Sequence, residues 1–222
     1  TVTGYVDTRV ANAADIISDT KKRFLPELKK QFPDITIGLE GQEKELKTSM
    51  AGMVKAFCIG VLGVFCLLSF QFRSYQEPLV IMVTIPFAFI GVIWGHFIMG
   101  IDLCMPSILG FVSLAGIVVN DSILLVSFIK LNVAKGSSVA EAGMLASRER
   151  FRAVFLTSVT TIAGLMPLLS ERSMQAQVLI PLACSIVFGL LMSTILVLLV
   201  VPSLYAIMAD FNLLKFKATV SE

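Results

Sequence analysis

The sequence is poor in charge and carries a single histidine. Only 15% of its 222 residues are charged, whereas 56% are hydrophobic. A soluble domain usually has about a quarter charged residues and somewhat under half apolar ones. The composition therefore argues against an ordinary soluble domain and indicates a membrane protein.

The motifs of common catalytic and nucleotide-binding sites are also missing. The sequence has no glycine-rich phosphate loop, HExxH zinc motif, CxxC pair or nucleophile-elbow pattern. Its four cysteines show no paired spacing, so we interpret them as small buried apolar residues and not as disulfides or metal ligands. We therefore expect no metal, no cofactor and no nucleic-acid partner.

No cleavable leader is visible at the start of the sequence. The chain begins TVTGYVD, without an initiator methionine or a basic segment followed by an apolar one. We expect the chain to be a fragment of a longer polypeptide.

Residues 1–49 are the polar part of the chain. TVTGYV at 1–6 alternates as strands do, apolar residues recur at helical spacing between 12 and 31, and ITIGL at 35–39 is typical of a second strand. This pattern predicts a β-α-β unit, which is too small to bury a core of its own. We expect it to complete a domain whose remainder lies upstream.

Five long apolar runs follow from Met50 onward. A helix needs about 20 residues to span the hydrocarbon of a bilayer. We predict five transmembrane helices within residues 50–209, followed by a tail at 210–222; the helices are placed at about 50–72, 79–99, 106–129, 151–169 and 178–208. The predicted fold class is a mostly α-helical polytopic membrane protein, preceded by a small β-α-β piece.

The positions of lysine and arginine predict the orientation. They lie in the loop after the first span, in the loop after the third span (where Lys130 is counted) and in the tail, whereas the alternate loops carry only Arg172. Short cytoplasmic loops are enriched in these residues. Residues 1–49 are therefore expected outside the cytoplasm, and the C-terminus inside it.

Asp121 lies in the middle of the third apolar run, in the stretch GIVVNDSILLV. Ionisable groups within a membrane are costly and usually mark ion or proton pathways. The alternative is a hydrogen bond from protonated Asp121, or from Asn120, that only joins two helices. A small and polar helix face is predicted around them, because four residues recur at steps of three and four: Gly110, Ser113, Gly116 and Asn120.

The fourth span offers partners for this carboxylate. Arg150 and Arg152 stand at its cytoplasmic entrance, and TSVTT at 157–161 places Thr157, Thr160 and Thr161 on one face. A hydroxyl stripe above Arg150 could carry protons or hydrated ions toward Asp121. The alternative for the threonines is bonding to their own backbone carbonyls. The alternative for the arginines is anchoring at the membrane surface, which we favour for Arg152.

Two other features of the second span are weaker signals. His96 stands beside Trp94 near the outer end, and we interpret it as an interfacial residue in preference to a catalytic base. Gly91 and Gly95 form a GxxxG spacing, which permits close helix contact.

Several stretches together resemble the C-terminal part of a resistance-nodulation-division (RND) multidrug efflux permease of the hydrophobe/amphiphile efflux branch. They are GFVSLAGIVVNDSILLVSFI (110–129), RFRAVFLTSVTTIAGLMPL (150–168), IGLEGQ (37–42), SFQFRSYQEPLVIMVTIPFAFIGVIWGH (69–96) and VVPSLYAIM (200–208). The resemblance covers essentially the whole chain. It implies the end of a periplasmic porter subdomain at 1–49, followed by spans eight to twelve of a bacterial inner-membrane protein.

The resemblance also implies an activity and partners. Pumps of this family are homotrimers that export drugs and other amphiphiles through a periplasmic adaptor and an outer-membrane channel, driven by proton entry. This chain would then need the missing N-terminal part of the same polypeptide, and it would lie among membrane lipids. The class of protein is accordingly a secondary transporter and not an enzyme.

A proton relay is implied residue by residue. The family joins two aspartates on the fourth span to a lysine on the tenth, and to an arginine and a threonine on the eleventh. The last two match Arg150 and Thr157 in the pattern R-x-R-x(4)-T. The lysine position falls on Asn120, and the usual neighbouring asparagine is Asp121. We expect Asp121 to titrate in a rearranged relay balanced by Arg150, with Ser113, Thr160 and Thr161 as a polar pathway.

Other functions remain open at this point. Sodium coupling would suit an acidic pair with adjacent hydroxyls. A non-drug member of the same superfamily, such as a lipid exporter or a protein-export accessory subunit, is an alternative. An intramembrane enzyme is a further one, although an aspartyl type needs two facing acids and a serine type needs His96 paired with a serine across helices.

Overall fold

The computed structural model describes residue 16, residues 19–32 and residues 42–211. The strands expected at 1–6 and 35–39 lie outside the described residues. Within the segment expected to be helical, a π-helical turn at Thr20–Phe24 leads into α1, Leu25–Gln31. The chain divides into two compact units, Thr1–Ala56 and Phe57–Glu222.

Five long helices and one short one make up the rest of the described chain. The long helices are α2 (Gln42–Phe72), α3 (Gln76–Met99), α4 (Met105–Ala134), α5 (Val139–Ser170) and α7 (Ile180–Asp210), and the short helix α6 is Met174–Gln177. The five long helices are long and apolar enough to cross a membrane. The expectation of a mostly helical chain with five candidate spans is confirmed.

The start of α5 differs most from the expected bounds. The apolar run was placed at 151–169, but the helix begins twelve residues earlier, at Val139. Ser138 accepts a hydrogen bond from the backbone N–H of Glu141 through its hydroxyl, and the Glu141 carboxylate accepts one from the backbone N–H of Ser138. This capping box satisfies two free amides, so the helix starts in the polar segment ahead of the apolar run.

The connections between the first three long helices are short and use left-handed backbone conformations. After α2, Arg73 has a φ of 52°, and after α3, Gly100 has a φ of 64°. Glycine adopts this region freely, whereas an L-residue such as arginine pays about 1–2 kcal/mol for it. The turn that ends α2 is therefore strained.

The buried centre of the second unit lies among α3, α4 and α7. Gly91 and Gly95 face α7 at very short range. A Cβ added to Gly91 would lie 2.6 Å from the Cβ of Met192, and one added to Gly95 would clash with the side chain of Phe188. The GxxxG spacing thus serves close packing, as expected, and the partner helix is α7.

Hydroxyl groups bond across two of the helix contacts. Ser122 on α4 donates to Thr84 on α3 at 3.1 Å, and Ser158 on α5 bonds Thr194 on α7 at 2.7 Å. All four side chains are buried. Interhelical hydrogen bonds of this kind stabilise helix pairs in an apolar surrounding.

Lys130 was counted as a loop residue, and this was wrong. It lies inside α4, where its Nζ is 3.0 Å from Oε1 of Glu77 at the start of α3. The ammonium also stands 5.2 Å from the ring centroid of Phe72 at the end of α2. The fully buried Tyr205 of α7 lies against Glu77. The apolar run was ended at 129, but the helix continues to Ala134, and Glu77 on α3 pairs with the charge of Lys130.

Candidate functional site

The helical hairpin of α4 and α5 holds the residues that were expected to form a relay. The two helices are joined by a turn at residues 135–138, so they run antiparallel. At about 1.5 Å per residue, Asp121 stands about 21 Å from that turn along α4. Arg150 stands about 18 Å from it along α5 by the same rise. The two residues therefore lie at nearly the same height in the membrane.

Asp121 faces the contact with α5. Its side chain is half-buried, and the charge that acts on it is that of Arg150. Within 19–32 and 42–211, Asp121 forms no ion pair at 4 Å or less. Side chains lean toward the N-terminus of their helix, so Asp121 leans away from the turn and Arg150 leans toward it. The two charges thus attract each other without direct contact.

Asn120 does not share this direction. The Asn120 side chain is exposed. One residue along a helix turns the side chain by about 100°, so Asn120 and Asp121 point in different directions. The acid, and not the amide at the expected lysine position, therefore faces Arg150.

The hydroxyls of the expected polar pathway bond to their own helices. Thr157 donates to the carbonyl of Val154 at 2.9 Å, Thr160 to that of Leu156 at 3.0 Å, and Thr161 to that of Thr157 at 2.9 Å. Ser113 on α4 donates to the Leu109 carbonyl at 3.1 Å. No bond from these hydroxyls to Asp121 occurs among the described residues. The backbone-bonded arrangement considered for the threonines is the one present.

The small-residue face of α4 is packed at only one end. A Cβ added to Gly110 would lie 2.6 Å from the carbonyl oxygen of Leu182 on α7, whereas one added to Gly116 would meet nothing within 4 Å. Ser113 and Asn120 are exposed in this chain. The predicted small-residue face of α4 therefore packs against α7 at Gly110 and is open at Gly116 within the described chain.

Phe128 is a neighbour of the site that sequence reasoning missed. Its ring centroid lies 4.2 Å from Cζ of Arg150, within the range of a cation–π contact. The available signal was spacing, because Phe128 follows Asp121 by seven residues and so shares its helix face.

Ser158 was missed for a similar reason. It stands among the threonines of TSVTT but on the other face of α5, where it bonds Thr194. The threonines that were singled out lie on the exposed side. Hydroxyl content alone did not distinguish the two faces.

His96, interpreted from the sequence as an interfacial residue in preference to a catalytic base, is buried among the helices. It is 3% exposed, because it lies beside Gly95 on the side of α3 that packs against α7. Its Nδ1 stands 2.9 Å from the Val92 carbonyl and its Nε2 stands 2.8 Å from Oγ of Ser107. A carbonyl only accepts, so Nδ1 donates to it and Nε2 of the neutral ring accepts from Ser107.

The pairing of His96 with Ser107 supplies the contact that a serine-type intramembrane enzyme requires. Ser107 is 0% exposed, however, and its Oγ also accepts from the backbone N–H of Cys104 at 3.2 Å. A hydroxyl enclosed in this way has no room for a substrate beside it. The pair therefore joins α3 to the start of α4 as a packing contact.

Sequence comparison links the chain to transport proteins. The family model described as the AcrB/AcrD/AcrF family matches residues 6–209. The swarming motility protein SwrC of Bacillus subtilis is 30% identical over 186 residues, which are 83% of this chain and 18% of that protein. The cobalt-zinc-cadmium resistance protein CzcA of Cupriavidus metallidurans is 31% identical over 165 residues, which are 74% of this chain and 16% of that protein.

Structure comparison gives the same link. A solved structure of a heavy metal efflux pump matches with a TM-score of 0.66 and 25% sequence identity, over 85% of this chain and 19% of that chain. The chain thus spans less than a fifth of the length of the proteins that it matches.

Proposed function

This chain belongs to the AcrB/AcrD/AcrF family of RND permeases, and from that premise we propose that it is part of a proton-coupled exporter of hydrophobic and amphiphilic compounds. The family consists of efflux transporters, so the chain is part of a transporter of the inner membrane that crosses it several times. Proton coupling and the kind of substrate are the proposed steps.

The observation that carries proton coupling is the position of Asp121 opposite Arg150. A half-buried carboxylate in a membrane helix is costly when charged, and a nearby cation reduces that cost. Because no direct ion pair locks the two groups among the described residues, the carboxylate remains free to take up and release a proton. Sodium binding by the same carboxylate is the competing form of coupling.

The exposed polar face beside this site supports a partner from the same polypeptide. Ser113, Asn120 and Thr157 carry polar groups on surfaces that nothing covers in the described chain. We propose that the family's fourth span, with its aspartate pair, packs there. Asp121 would then add negative charge to an acidic cluster, and close carboxylates cannot all stay ionised cheaply. One of them would hold the transported proton.

Orientation and assembly follow the family in this proposal. Residues 1–49 are periplasmic, the C-terminus is cytoplasmic, and the complete protein forms a homotrimer that works with a periplasmic adaptor and an outer-membrane channel. The basic loop and tail residues support this orientation.

The test of coupling is the substitution Asp121→Asn in the complete protein. We expect it to abolish efflux at normal expression, whereas the control Asp102→Asn, an exposed residue between α3 and α4, should leave efflux unchanged. Wild-type efflux by Asp121→Asn would overturn the proposal. Efflux that stops when sodium is removed but survives collapse of the proton gradient would instead establish sodium coupling.

Metal cations are a second candidate substrate, because two of the matched proteins are named for metal resistance or metal efflux. Measurements on cells that lack the complete gene distinguish amphiphiles from metal cations as the substrate class. Amphiphile export predicts greater accumulation of ethidium in such cells, with unchanged tolerance of cobalt, zinc and cadmium. The reverse pattern would assign metal cations as the substrate.

A further inference from the structure

Arg150 is held in place by an aromatic ring and not by an anion. Its Cζ lies 4.2 Å from the ring centroid of Phe128 on α4. Its Nε is buried and has no hydrogen-bond partner, and no carboxylate comes within ion-pair distance of it in the described part of the chain. The Phe128 ring is therefore the contact that the guanidinium makes in the described part of the chain.

The geometry of the hairpin explains how the Arg150 side chain reaches the Phe128 ring. Phe128 stands two helical turns nearer the connecting turn than Asp121, on the same face of α4. The side chain of Arg150 leans toward the N-terminus of α5, which is the same direction. The planar group thus comes to rest on the Phe128 ring, with its charge still acting on Asp121.

We propose that Phe128 is a positioning residue of the coupling site: its ring holds the charge of Arg150 at a fixed distance from Asp121, close enough to attract the carboxylate and too far to neutralise it in an ion pair. This inference rests on the proposed role of Asp121 in coupling. Phe128 itself does not take up the proton.

The π face of Phe128, and not its volume, is the property that matters in this arrangement. A leucine would fill much of the same apolar space but presents no negative ring face to a cation. Arg150 would then be free to turn toward the cytoplasmic surface, because a long arginine side chain extends its charge toward water. The attraction between the Arg150 charge and the Asp121 carboxylate would then weaken, although the arginine is still present.

The first measurement is thermal unfolding of the complete purified protein, which does not depend on the substrate. Four proteins form a cycle: wild type, Phe128→Leu, Arg150→Gln and the double variant. We expect the double variant to lose less thermal stability than the sum of the losses in the two single variants, because each single substitution removes the same contact. We also expect Phe128→Tyr to unfold at the wild-type temperature. Additive losses would overturn the inference.

The second measurement is the initial rate of ethidium efflux by the same variants at matched expression. Phe128→Leu should lower the rate by about 3- to 10-fold, in line with the strength of a partly buried cation–π contact, and Phe128→Tyr should restore it. The matched control is Phe111→Leu, on the same helix and also half-buried, because its ring contacts the rings of Phe57 and Phe89 and not a cation.

The two proposals fail in different ways. If Asp121→Asn transports normally, the proposed coupling role fails, while the unfolding cycle still decides whether Phe128 holds Arg150. If Asp121→Asn is inactive and Phe128→Leu transports at the wild-type rate, only the positioning role is overturned. Equal losses in Phe128→Leu and Phe111→Leu would also overturn it.

Discussion

Replacing Gly91 by alanine should separate α3 from α7. The added Cβ would lie 2.6 Å from the Cβ of Met192, 2.6 Å from the carbonyl oxygen of Phe188 and 2.9 Å from the Cα of Gly189. Carbon atoms pack best at about 3.5–4.0 Å, so the two helices must move apart by about 1 Å. None of the three atoms can rotate away, because they belong to backbone or to a Cβ.

The expected loss in the free energy of unfolding follows from that displacement. A gap of about 1 Å forfeits a quarter to a half of the dispersion energy at each affected contact, and overpacking generally costs about 1–3 kcal/mol. Since the obstruction is rigid, we expect the upper part of this range, about 2–3 kcal/mol. The assay is unfolding of the complete protein in detergent, by temperature or denaturant.

The matched control is Gly63→Ala on α2, where an added Cβ meets nothing within 4 Å. Alanine has the higher helix propensity, by up to about 1 kcal/mol, so this variant should be as stable as the wild type or slightly more stable. If Gly91→Ala and Gly63→Ala are equally stable in this assay, the close approach of α3 and α7 does not exclude a larger residue at position 91.

Three further predictions concern polar contacts, each measured as the unfolding midpoint of the complete protein. Lys130→Met should cost about 1–3 kcal/mol, because it leaves the carboxylate of Glu77 buried without its cation; this is below the loss for a fully buried pair since Lys130 is 34% exposed. Adding Glu77→Gln should recover most of the loss, and no recovery would contradict the pairing. Ser158→Ala should cost about 0.5–1.5 kcal/mol, and adding Thr194→Val should cost little more; fully additive losses would show that the two hydroxyls do not interact. His96→Phe should cost about 1–3 kcal/mol because it removes the acceptor of a buried hydroxyl, and His96→Gln should cost less; equal costs would refute that reasoning.

Much of the fold was predictable because it depends on local composition. Five apolar segments of sufficient length predict five spans, and the GxxxG spacing of Gly91 and Gly95 indicated a close helix contact. Helix starts were less predictable. The apolar run locates the lipid-exposed part of α5, whereas Ser138 and Glu141 determine where its hydrogen bonding begins.

The candidate site was predictable in part, for a different physical reason. Helical periodicity shows which residues share a face, but not which neighbouring helix that face meets. Asp121 was identified as a residue of interest from its chemistry, and Arg150 from its chemistry together with the family resemblance. The stacking of Arg150 on Phe128, the burial of His96 and the pairing of Lys130 with Glu77 all depend on contacts between residues far apart in the sequence.

The strained turn after α2 bears on how the first two spans enter the membrane during synthesis. Only Arg73, Ser74 and Tyr75 connect α2 to α3, so the charge of Arg73 lies close to the ends of both helices. In the proposed orientation, Arg73 is the cation that keeps this connection in the cytoplasm. Glycine would relieve the left-handed backbone at that position but would remove the charge. In that orientation, the arginine would combine a strained backbone with the charge that favours a cytoplasmic connection.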